Sequence, residues 1–273
     1  MSNNTTINIL SGIFKRLKRI PRNRYSKAGL GWLDMRIIKN LPGNKINTIS
    51  FQGSKLTISS RNEFLHALEE IFIDEIYKLN LEEKATIIDC GANIGLSIIY
   101  LKKQNPSARI IAFEPDEKNF TLLKKNVQSF GLADVEIKKE AVWIDNTVLN
   151  FSNEGSMSSK VDLTSQGTKV KAIRLKDLLH EKVGFLKLDI EGAEYLVLKD
   201  IEDELGNVEN MFLEYHGKFE QNNELCEILD IVKRSSFKFY IKEATVTYKH
   251  PFIHQKQITV SYDIQLNIFC FKK

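Results

Sequence analysis

Cysteine is scarce in this chain of 273 residues, and its three cysteines (Cys90, Cys226 and Cys270) lie far apart in the sequence. An odd number of scattered cysteines supports neither a disulfide framework nor a cysteine-based zinc site. The 5 prolines and 14 glycines are too few for a collagen-like or low-complexity chain, and 42% hydrophobic residues is too many for a disordered one. We therefore expect a folded protein of a reducing, cytoplasmic compartment.

Long apolar runs and evenly spread charge are also missing. The longest nearly apolar run, residues 85–101, contains Asp89 and Asn93 and is too short and polar to span a bilayer. Residues 1–28 contain seven Lys or Arg and no acidic residue, so the net charge of +4 becomes −3 for residues 29–273. A mildly acidic body without a basic and aromatic platform does not favour a nucleic-acid partner.

The basic N-terminal segment has its own pattern. Apolar residues recur at helical spacing from Leu10 to Ile20, and Pro21 follows them, which predicts a short amphipathic helix. No apolar region typical of a secretion signal follows the charges. Residues 10–27 are therefore either a weak contact with an anionic membrane surface or a lipid-linked substrate, or simply a frayed basic terminus.

The remaining sequence suggests three regions: the basic segment 1–28, an N-terminal cap 29–80, and a larger domain 81–273. The cap contains two predicted strands (46–51 and 55–59) and a predicted helix (63–79). In the larger domain, strands predicted at 86–90, 109–113, 135–139, 183–190, 208–215 and 237–241 alternate with helices predicted at 95–104, 117–129, 193–201 and 223–235. A hairpin (148–151 with 169–173) interrupts this order, and a last strand (262–271) has no helix after it. The pattern predicts an α/β fold with a doubly wound, mostly parallel sheet and a final antiparallel strand.

The segment from Asp89 to Gly95 connects the first predicted strand of this domain to its first helix. Ligands of open α/β sheets bind at the carboxyl ends of strands, where helix N–H groups are available. Gly91 permits a tight turn and Gly95 a close approach of the helix. The turn lacks the third glycine of a dinucleotide-binding motif, and its acid favours an ammonium or a sulfonium over a pyrophosphate. A glycine turn without a ligand is the alternative.

Acidic residues also follow the next two strands. Glu114 lies where a carboxylate accepts hydrogen bonds from two ribose hydroxyls; a simple helix-start acid is the alternative, although Asp116 already fits that position. Glu140 follows the third strand, where an acid can accept from an adenine amino group between apolar neighbours. Three successive strand ends thus have chemistry that suits an adenosine.

Four segments together resemble the FkbM family of S-adenosylmethionine-dependent methyltransferases. They are residues 89–95 (DCGANIG), 113–116 (FEPD), 140–143 (EAVW) and 186–194 (LKLDIEGAE), of which the last is the most specific. The resemblance runs from roughly Phe51 to Phe271. It implies the seven-stranded, Rossmann-like class I methyltransferase sheet with its final antiparallel strand inserted between neighbours. It also implies S-adenosylmethionine as cofactor and O-methylation, often of sugar or polyketide hydroxyls.

The resemblance also implies which positions hold the cofactor. By this resemblance, the methionine end of the cofactor is bound by four residues of the first turn: Asp89, Gly91, Asn93 and Gly95. The ribose is bound at Glu114 and the adjacent Pro115, and the adenine is bordered by Glu140 and Ala141. Asn93 stands where many broader methyltransferases have glycine, in agreement with the family's own pattern.

Methyl transfer to an alcohol also needs a group that takes the hydroxyl proton. Phe185, Lys187 and Asp189 share one face of a predicted strand, and Asp189, at its carboxyl edge, is the first candidate to contact the methionine ammonium or orient the acceptor. Lys187 lies two residues deeper and has either a direct role or a place in a buried ion pair.

The next strand carries Glu214 and His216 on one face. His216 is the predicted general base because an unperturbed imidazole titrates near neutrality; an ordinary polar residue at a strand end is the alternative. Glu191 and Glu194 flank a helix start, which favours carboxylates there for structural reasons. Asp189, Glu191, Glu214 and His216 offer ligands to a divalent cation, but their spacing does not require one, and we predict no metal.

Two further features remain open. The polar stretch Ser152–Gly167 is either a loop that covers the acceptor site or an extended hairpin turn. Tyr77, on the face of the predicted helix, either closes over the cofactor or belongs to the core.

The sequence therefore predicts a cytoplasmic S-adenosylmethionine-dependent O-methyltransferase that acts on a small-molecule or glycan hydroxyl, for example in polysaccharide biosynthesis. One alternative is a nicotinamide-dependent oxidoreductase on a similar sheet, which Asp89 and the missing glycine disfavour. The other is a non-catalytic domain that binds S-adenosylmethionine or a protein partner, which Asp189 and His216 disfavour.

Overall fold

The computed structural model of the chain describes residues 24–43, 45–151, 168–253, 255–256 and 262–272. The amphipathic helix predicted near Leu10–Ile20 and the stretch Ser152–Gly167 lie outside the described residues. The chain divides into two compact units between Ile76 and Tyr77. The predicted domains 29–80 and 81–273 stay a prediction.

The first unit begins with a 3-10 turn (Arg24–Ala28) and helix α1 (Trp32–Lys39), which the sequence pattern did not predict. Strands β1 (Asn47–Phe51) and β2 (Ser54–Ile58) then form the predicted hairpin. Its two turn residues, Gln52 and Gly53, have φ values of 49° and 83°, as the tight turn of a two-residue hairpin requires.

Helix α2 (Arg61–Ala67) starts after Ser60, whose hydroxyl accepts a hydrogen bond from the Glu63 amide at 3.4 Å. It continues as a π-helical turn (Leu68–Ile73). The prediction of one helix over 63–79 is therefore wrong beyond Ile73. Glu75 has a φ of 53°, a left-handed conformation that an α-helix cannot include.

The second unit contains the strands of the α/β domain. In chain order these are β3 (Thr86–Cys90), β4 (Arg109–Phe113), β5 (Val135–Lys138), β6 (Ala141–Trp143), β7 (Thr147–Phe151), β8 (Thr168–Arg174), β9 (Val183–Leu188), β10 (Val208–Gly217), β11 (Lys238–Glu243), β12 (Tyr248–His250), β13 (Gln255–Lys256) and β14 (Ile264–Phe271). Its helices are α3 (Leu96–Gln104), α4 (Glu117–Ser129), α5 (Glu194–Asp200) and α6 (Asn222–Arg234). None of the helices in the described part of the chain is long and apolar enough to cross a membrane.

Seven strands form the main sheet, in the order β11–β14–β10–β9–β3–β4–β5. Five neighbouring strands of this sheet, β10, β9, β3, β4 and β5, run parallel to one another. Strand β14 lies antiparallel between β10 and β11. The predicted α/β class, the mostly parallel sheet and the inserted final strand are confirmed. Central residues such as Ile87, Leu186 and Leu188 are fully buried, and each such side chain contributes about 1.5–3 kcal/mol to folding.

The end of the third predicted strand differs from the expectation. Strand β5 ends at Lys138, and residues 141–143 form β6, which pairs in parallel with β8 in a separate three-stranded sheet with β7. Ala141, Val142 and Trp143 are buried, so packing between the two sheets explains their apolar character. Glu140 lies in the connection between the sheets.

The parallel register places the candidate site. Cys90 of β3 and Leu213 of β10 both pair with Leu188 of β9. The residues that follow these three positions therefore lie beside one another, at the carboxyl edge of the sheet.

Candidate active site at the carboxyl edge of the sheet

The turn between β3 and α3 has a backbone conformation that requires glycine at two positions. Gly91 has a φ of 88°, and a Cβ atom there would overlap the carbonyl oxygen of Asp189. Gly95 has a φ of 92°, and its Cβ would lie 2.8 Å from the Leu123 side chain. Gly91 is therefore fixed by space and by backbone conformation, whereas Gly95 is fixed mainly by its left-handed φ, because the end of the Leu123 side chain can move. Asn93 is exposed, has a φ of 48°, and accepts a hydrogen bond from the Ile94 amide at 2.7 Å.

Asp89 is completely buried beneath this turn. Its Oδ2 accepts a hydrogen bond from the Ser97 hydroxyl at 2.5 Å, and its Oδ1 lies 3.4 Å from the Lys187 ammonium. Oδ1 has no hydrogen-bond partner in the structure. Asp89 thus connects the end of β3 to helix α3 through Ser97, and its Oδ1 pairs with the Lys187 ammonium but accepts no hydrogen bond.

Lys187 ties the ends of β3 and β9 together. Its buried ammonium donates to the Gly91 carbonyl at 2.8 Å and to Asp189 Oδ2 at 3.0 Å. Burial alone lowers the pKa of Lys187, but the carboxylates of Asp189 and Asp89 raise it well above its ordinary value. The lysine stays protonated and forms the buried ion pair that was one of its two interpretations.

Glu114 lies at the end of β4, beside the same turn. Its two carboxylate oxygens accept hydrogen bonds from the Asn93 amide at 2.8 Å and the Asp116 amide at 2.9 Å. Burial raises the pKa of Glu114 to about 7, against the effect of these two hydrogen bonds. Asp116 caps α4 by accepting from the Asn119 amide, so the helix start does not need Glu114. Pro115 is half-buried between the two acids.

The predicted adenine border lies at the connection between the two sheets. Glu140 is half-buried and its Oε1 accepts a hydrogen bond from the Lys171 ammonium at 2.5 Å. Ala141 is buried next to it. Lys171 thus already neutralises the glutamate, a partner that the sequence did not indicate.

A second set of acidic residues follows β9. Asp189 is half-buried, and Glu191, the most exposed of the set, has a φ of 55° in the turn before α5. Glu194 is buried and accepts hydrogen bonds from the amides of Ile190 and Gly192 at 2.9–3.1 Å. A glutamate at this helix start therefore fastens the preceding turn.

Glu194 also holds His216. Its Oε1 lies 3.1 Å from Nδ1 of the buried His216 ring. The other ring nitrogen, Nε2, lies 3.6 Å from Glu214 and 4.0 Å from Glu191. Sequence reasoning placed these residues at one edge but missed the Glu194–His216 pair. The signal was indirect: His216 lies near the end of β10, and Glu194 begins the helix that follows the neighbouring parallel strand β9.

The surroundings of His216 change its proton affinity. Burial lowers the pKa of the imidazole, but the hydrogen bond to Glu194 and the charges of Glu194, Asp189 and Glu191 raise it to about 10. The assumption of a pKa near neutrality is therefore wrong. In the ligand-free protein at neutral pH the ring is a cation, because buried carboxylates favour the charged form.

Two aromatic residues stand near this group. Tyr262 donates a hydrogen bond to the Glu191 carbonyl at 2.7 Å, and its ring centre lies 4.9 Å from that of His216. It precedes β14, which was predicted to include it, and its role was missed. Tyr77 is buried and packs edge to face on Phe212 at 5.0 Å, so it belongs to the core of the second unit.

Three of the four residues that could bind a divalent cation lie close together in the structure. Asp189, Glu214 and His216 each bring one ligand atom within 4.8 Å of the other two. Glu191 is not part of this group. Two carboxylates and one imidazole form a donor set that several divalent metals accept, so a cation is the competing use of these three side chains.

A comparison with protein families identifies the family of this chain. The family described as the methyltransferase FkbM domain matches residues 89–239. "Methyltransferase 1" of Beauveria bassiana (strain ARSEF 2860) is 28% identical over 171 residues, which cover 52% of this chain and 68% of that protein. The "31-O-demethyl-FK506 methyltransferase FkbM" of Streptomyces tacrolimicus is 24% identical over 181 residues, or 52% of this chain and 69% of that protein.

A solved structure of "Methyltransferase FkbM" from Methylobacillus flagellatus KT is 17% identical, with a TM-score of 0.47. The match covers 70% of this chain and 44% of that chain. It therefore spans less than half of the solved protein.

Proposed function

Because the chain belongs to the methyltransferase FkbM domain family, we propose that it is an O-methyltransferase acting on a hydroxyl of a sugar, glycan or natural product, with His216 as general base. The chain is a methyltransferase, and S-adenosylmethionine is its cofactor. The proposal that His216 acts as general base rests on the buried Glu194–His216 pair. The Nε2 atom of His216 faces Glu214 and Glu191 at the carboxyl edge of the sheet.

The residues at this edge fit the cofactor. Asp89 Oδ1 is a buried acceptor without a hydrogen bond, and the carboxylate of Glu114 retains lone pairs for ribose hydroxyls. Acidic side chains suit the positive charges of an ammonium and a sulfonium. We assign the methionine end to Asp89, Gly91, Asn93, Gly95 and Asp189, the ribose to Glu114 with Pro115, and the adenine border to Glu140 and Ala141.

When bound, S-adenosylmethionine supplies a methyl carbon on a positively charged sulfur. His216 Nε2 would take the proton of the acceptor hydroxyl, which would make the hydroxyl oxygen a stronger nucleophile toward that methyl group. Glu194 orients the imidazole through Nδ1, which leaves Nε2 for the acceptor. Lys187 is a positioning residue, because its ammonium fixes Asp189 and the Gly91 carbonyl.

This role sets a pH requirement. Only the neutral imidazole accepts a proton, and the pKa of His216 is raised to about 10 in the ligand-free protein. The kcat/KM for the acceptor, measured at cofactor concentrations well below saturation where most of the enzyme is ligand-free, is therefore expected to rise with pH well above neutrality. Positive charges of the bound cofactor disfavour the imidazolium, so kcat should rise at lower pH than kcat/KM does.

The test measures methyl transfer across pH on a panel of hydroxylated acceptors. We expect His216→Gln to lower kcat by about 10²–10⁴-fold, the usual contribution of a general base, with little change in cofactor affinity. His180→Gln is the matched control, since His180 is exposed and pairs with Glu204. Unchanged kcat in His216→Gln would remove His216 from the mechanism.

The Glu194→Gln variant tests whether Glu194 positions and charges the His216 imidazole or only stabilises the fold. Loss of the carboxylate charge should shift the rise in kcat/KM toward lower pH, because the hydrogen bond to Glu194 is a main cause of the raised pKa of His216. A purely structural role would lower activity equally at every pH.

The position of the methyl group, read from the product by NMR, decides the reaction type, and a new N-methyl or C-methyl group would refute O-methylation.

A chelator titration addresses the competing cation. We expect full activity after removal of divalent metals, because Lys187 already pairs with Asp189 and the bound cofactor would bring further positive charge to this edge. Activity that chelation abolishes and Mg²⁺ or Mn²⁺ restores would assign Asp189, Glu214 and His216 to a metal. Tight binding of S-adenosylhomocysteine without methyl transfer to any hydroxylated acceptor of the panel would contradict O-methylation.

A further inference from the structure

Helix α1 turns large apolar side chains to the solvent. Trp32, Leu33 and Ile37 are 64%, 65% and 62% exposed, whereas Met35 and Ile38 on the other side of the same helix are buried. Single exposed apolar residues are common on soluble proteins. Three on one eight-residue helix form a continuous patch, which is typical of an interaction surface.

The patch has basic residues within it. At 100° per residue, Arg36 falls between Trp32 and Leu33 on the exposed side, and its guanidinium lies 5.3 Å from the centre of the Trp32 ring. Lys39 follows one turn later on the side of Trp32. The acid of this helix, Asp34, lies away from Arg36 and accepts a hydrogen bond from the Gly31 amide at the helix start.

The sequence that precedes Asp34 carries charge of one sign. Residues 1–33 contain seven Lys or Arg and no acidic residue, and Asp34 is the first acid of the chain. Arg24 and Lys27, the last two of these basic residues, lie in the 3-10 turn just before α1, where they pair with Glu69 and Glu75. The cations of the exposed face itself are Arg36 and Lys39. A tryptophan and two aliphatic side chains beside these cations match a membrane interface, where the rings and aliphatic groups enter the acyl boundary and the cations meet lipid headgroups.

We propose that the face formed by Trp32, Leu33, Arg36, Ile37 and Lys39 binds the surface of an anionic phospholipid bilayer. The three apolar side chains enter the interface, and the cations pair with the acidic headgroups. Neither feature suffices alone, since stable peripheral binding takes an apolar and an electrostatic contribution. The inference does not depend on the methyl acceptor or on the role of His216.

The chain contains its own reporter. Its two tryptophans are Trp32 and the buried Trp143, so a Trp143→Phe variant leaves Trp32 as the single tryptophan, whose emission is excited selectively at wavelengths that tyrosine does not absorb. The full-length protein is mixed with phosphatidylcholine vesicles that contain either no phosphatidylserine or a large fraction of it. We expect a blue shift of Trp32 emission, and quenching by brominated acyl chains, with the anionic vesicles only. Both signals should weaken as the salt concentration rises.

Matched variants separate the two contributions. Leu33→Ser/Ile37→Ser should weaken binding about tenfold or more in a vesicle co-sedimentation assay, given the apolar area withdrawn. Arg36→Gln/Lys39→Gln should weaken it on anionic vesicles by a similar factor. Val148→Ser/Tyr240→Ser removes two comparably exposed side chains of the second unit and should leave binding unchanged. Circular dichroism and thermal melting confirm that each variant folds.

Three results would overturn the proposal. Binding to anionic vesicles without quenching of Trp32 would mean that basic residues alone make the contact. Equal effects of both double serine variants would show that the face is not specific. A dimer in light scattering that Leu33→Ser/Ile37→Ser dissociates, without vesicle binding by the wild type, would assign the face to a second copy of the chain.

Discussion

Gly91 has the most restricted position of the site, since a Cβ atom would overlap the Asp189 carbonyl oxygen while its φ of 88° already disfavours any side chain. We expect Gly91→Ala to lower the free energy of unfolding by about 3 kcal/mol or more, from backbone strain plus overpacking. It should also abolish binding of S-adenosylhomocysteine, because Asp189 must move.

The matched control is Gly131→Ala. Gly131 follows helix α4 with a φ of 58°, but no atom lies within 4 Å of its added Cβ. Only the backbone strain of about 1–2 kcal/mol should appear, and cofactor binding should persist. Urea unfolding and calorimetric titration of the two variants give the comparison. Equal losses of stability would show that the space around Gly91 does not matter.

At the scale of elements, helix α4 shows how a cap and an end signal define a helix. Asp116 accepts from the Asn119 amide at 2.8 Å, and Gly131 takes the left-handed conformation just beyond Ser129. Asp116→Ala should cost about 1 kcal/mol of unfolding free energy, and Asp116→Asn much less, because asparagine caps almost as well. Thermal or urea unfolding measures both. Equal loss in the two variants would mean that the charge of Asp116, and not the cap, is what stabilises α4.

Element boundaries were predictable where such signals exist. The predicted helices of the second unit agree with α3 to α6 to within one residue at each end. The predicted helix over 63–79 failed because nothing in the apolar spacing marks Glu75 as left-handed. Helix α1 was missed because its apolar residues, Trp32, Leu33 and Ile37, face solvent and do not form the stripe of a buried helix.

Two buried groups at the carboxyl edge of the sheet should make the stability of the whole molecule fall as the pH rises through their pKa values. Burial raises the pKa of Glu114 to about 7, and Glu194 with its neighbours raises that of His216 to about 10. Both groups bind protons more strongly when folded. Their stabilisation is complete below their unfolded pKa values and is lost as pH rises through the folded ones.

Two variants isolate these contributions. Relative to wild type, Glu114→Gln should remove the fall in unfolding free energy between about pH 4.5 and 7. His216→Gln should remove the fall between about pH 6.5 and 10, with slopes of at most about 1.4 kcal/mol per pH unit. Urea titrations at fixed ionic strength give the curves. A wild-type curve parallel to both variants would contradict the raised pKa values.

The sequence by itself determined the class of fold and the positions of most site residues. Strands with continuous apolar runs, separated by capped helices, specify a parallel sheet, and the carboxyl ends of parallel strands must meet at one edge. Asp89, Glu114, Asp189 and His216 were therefore predictable as neighbours of that edge. The family followed from short motifs whose spacing is fixed by the turns they form.

Only the tertiary structure decided how these groups act on one another. The pairing of Glu194 with His216, the burial of Lys187 between Asp89 and Asp189, and the contact of Tyr262 with the turn at Glu191 join residues from different elements. Proton affinities depend on distance and desolvation, which local spacing does not encode. The imidazole that the sequence treats as ordinary is, for that reason, a buried cation in the folded protein.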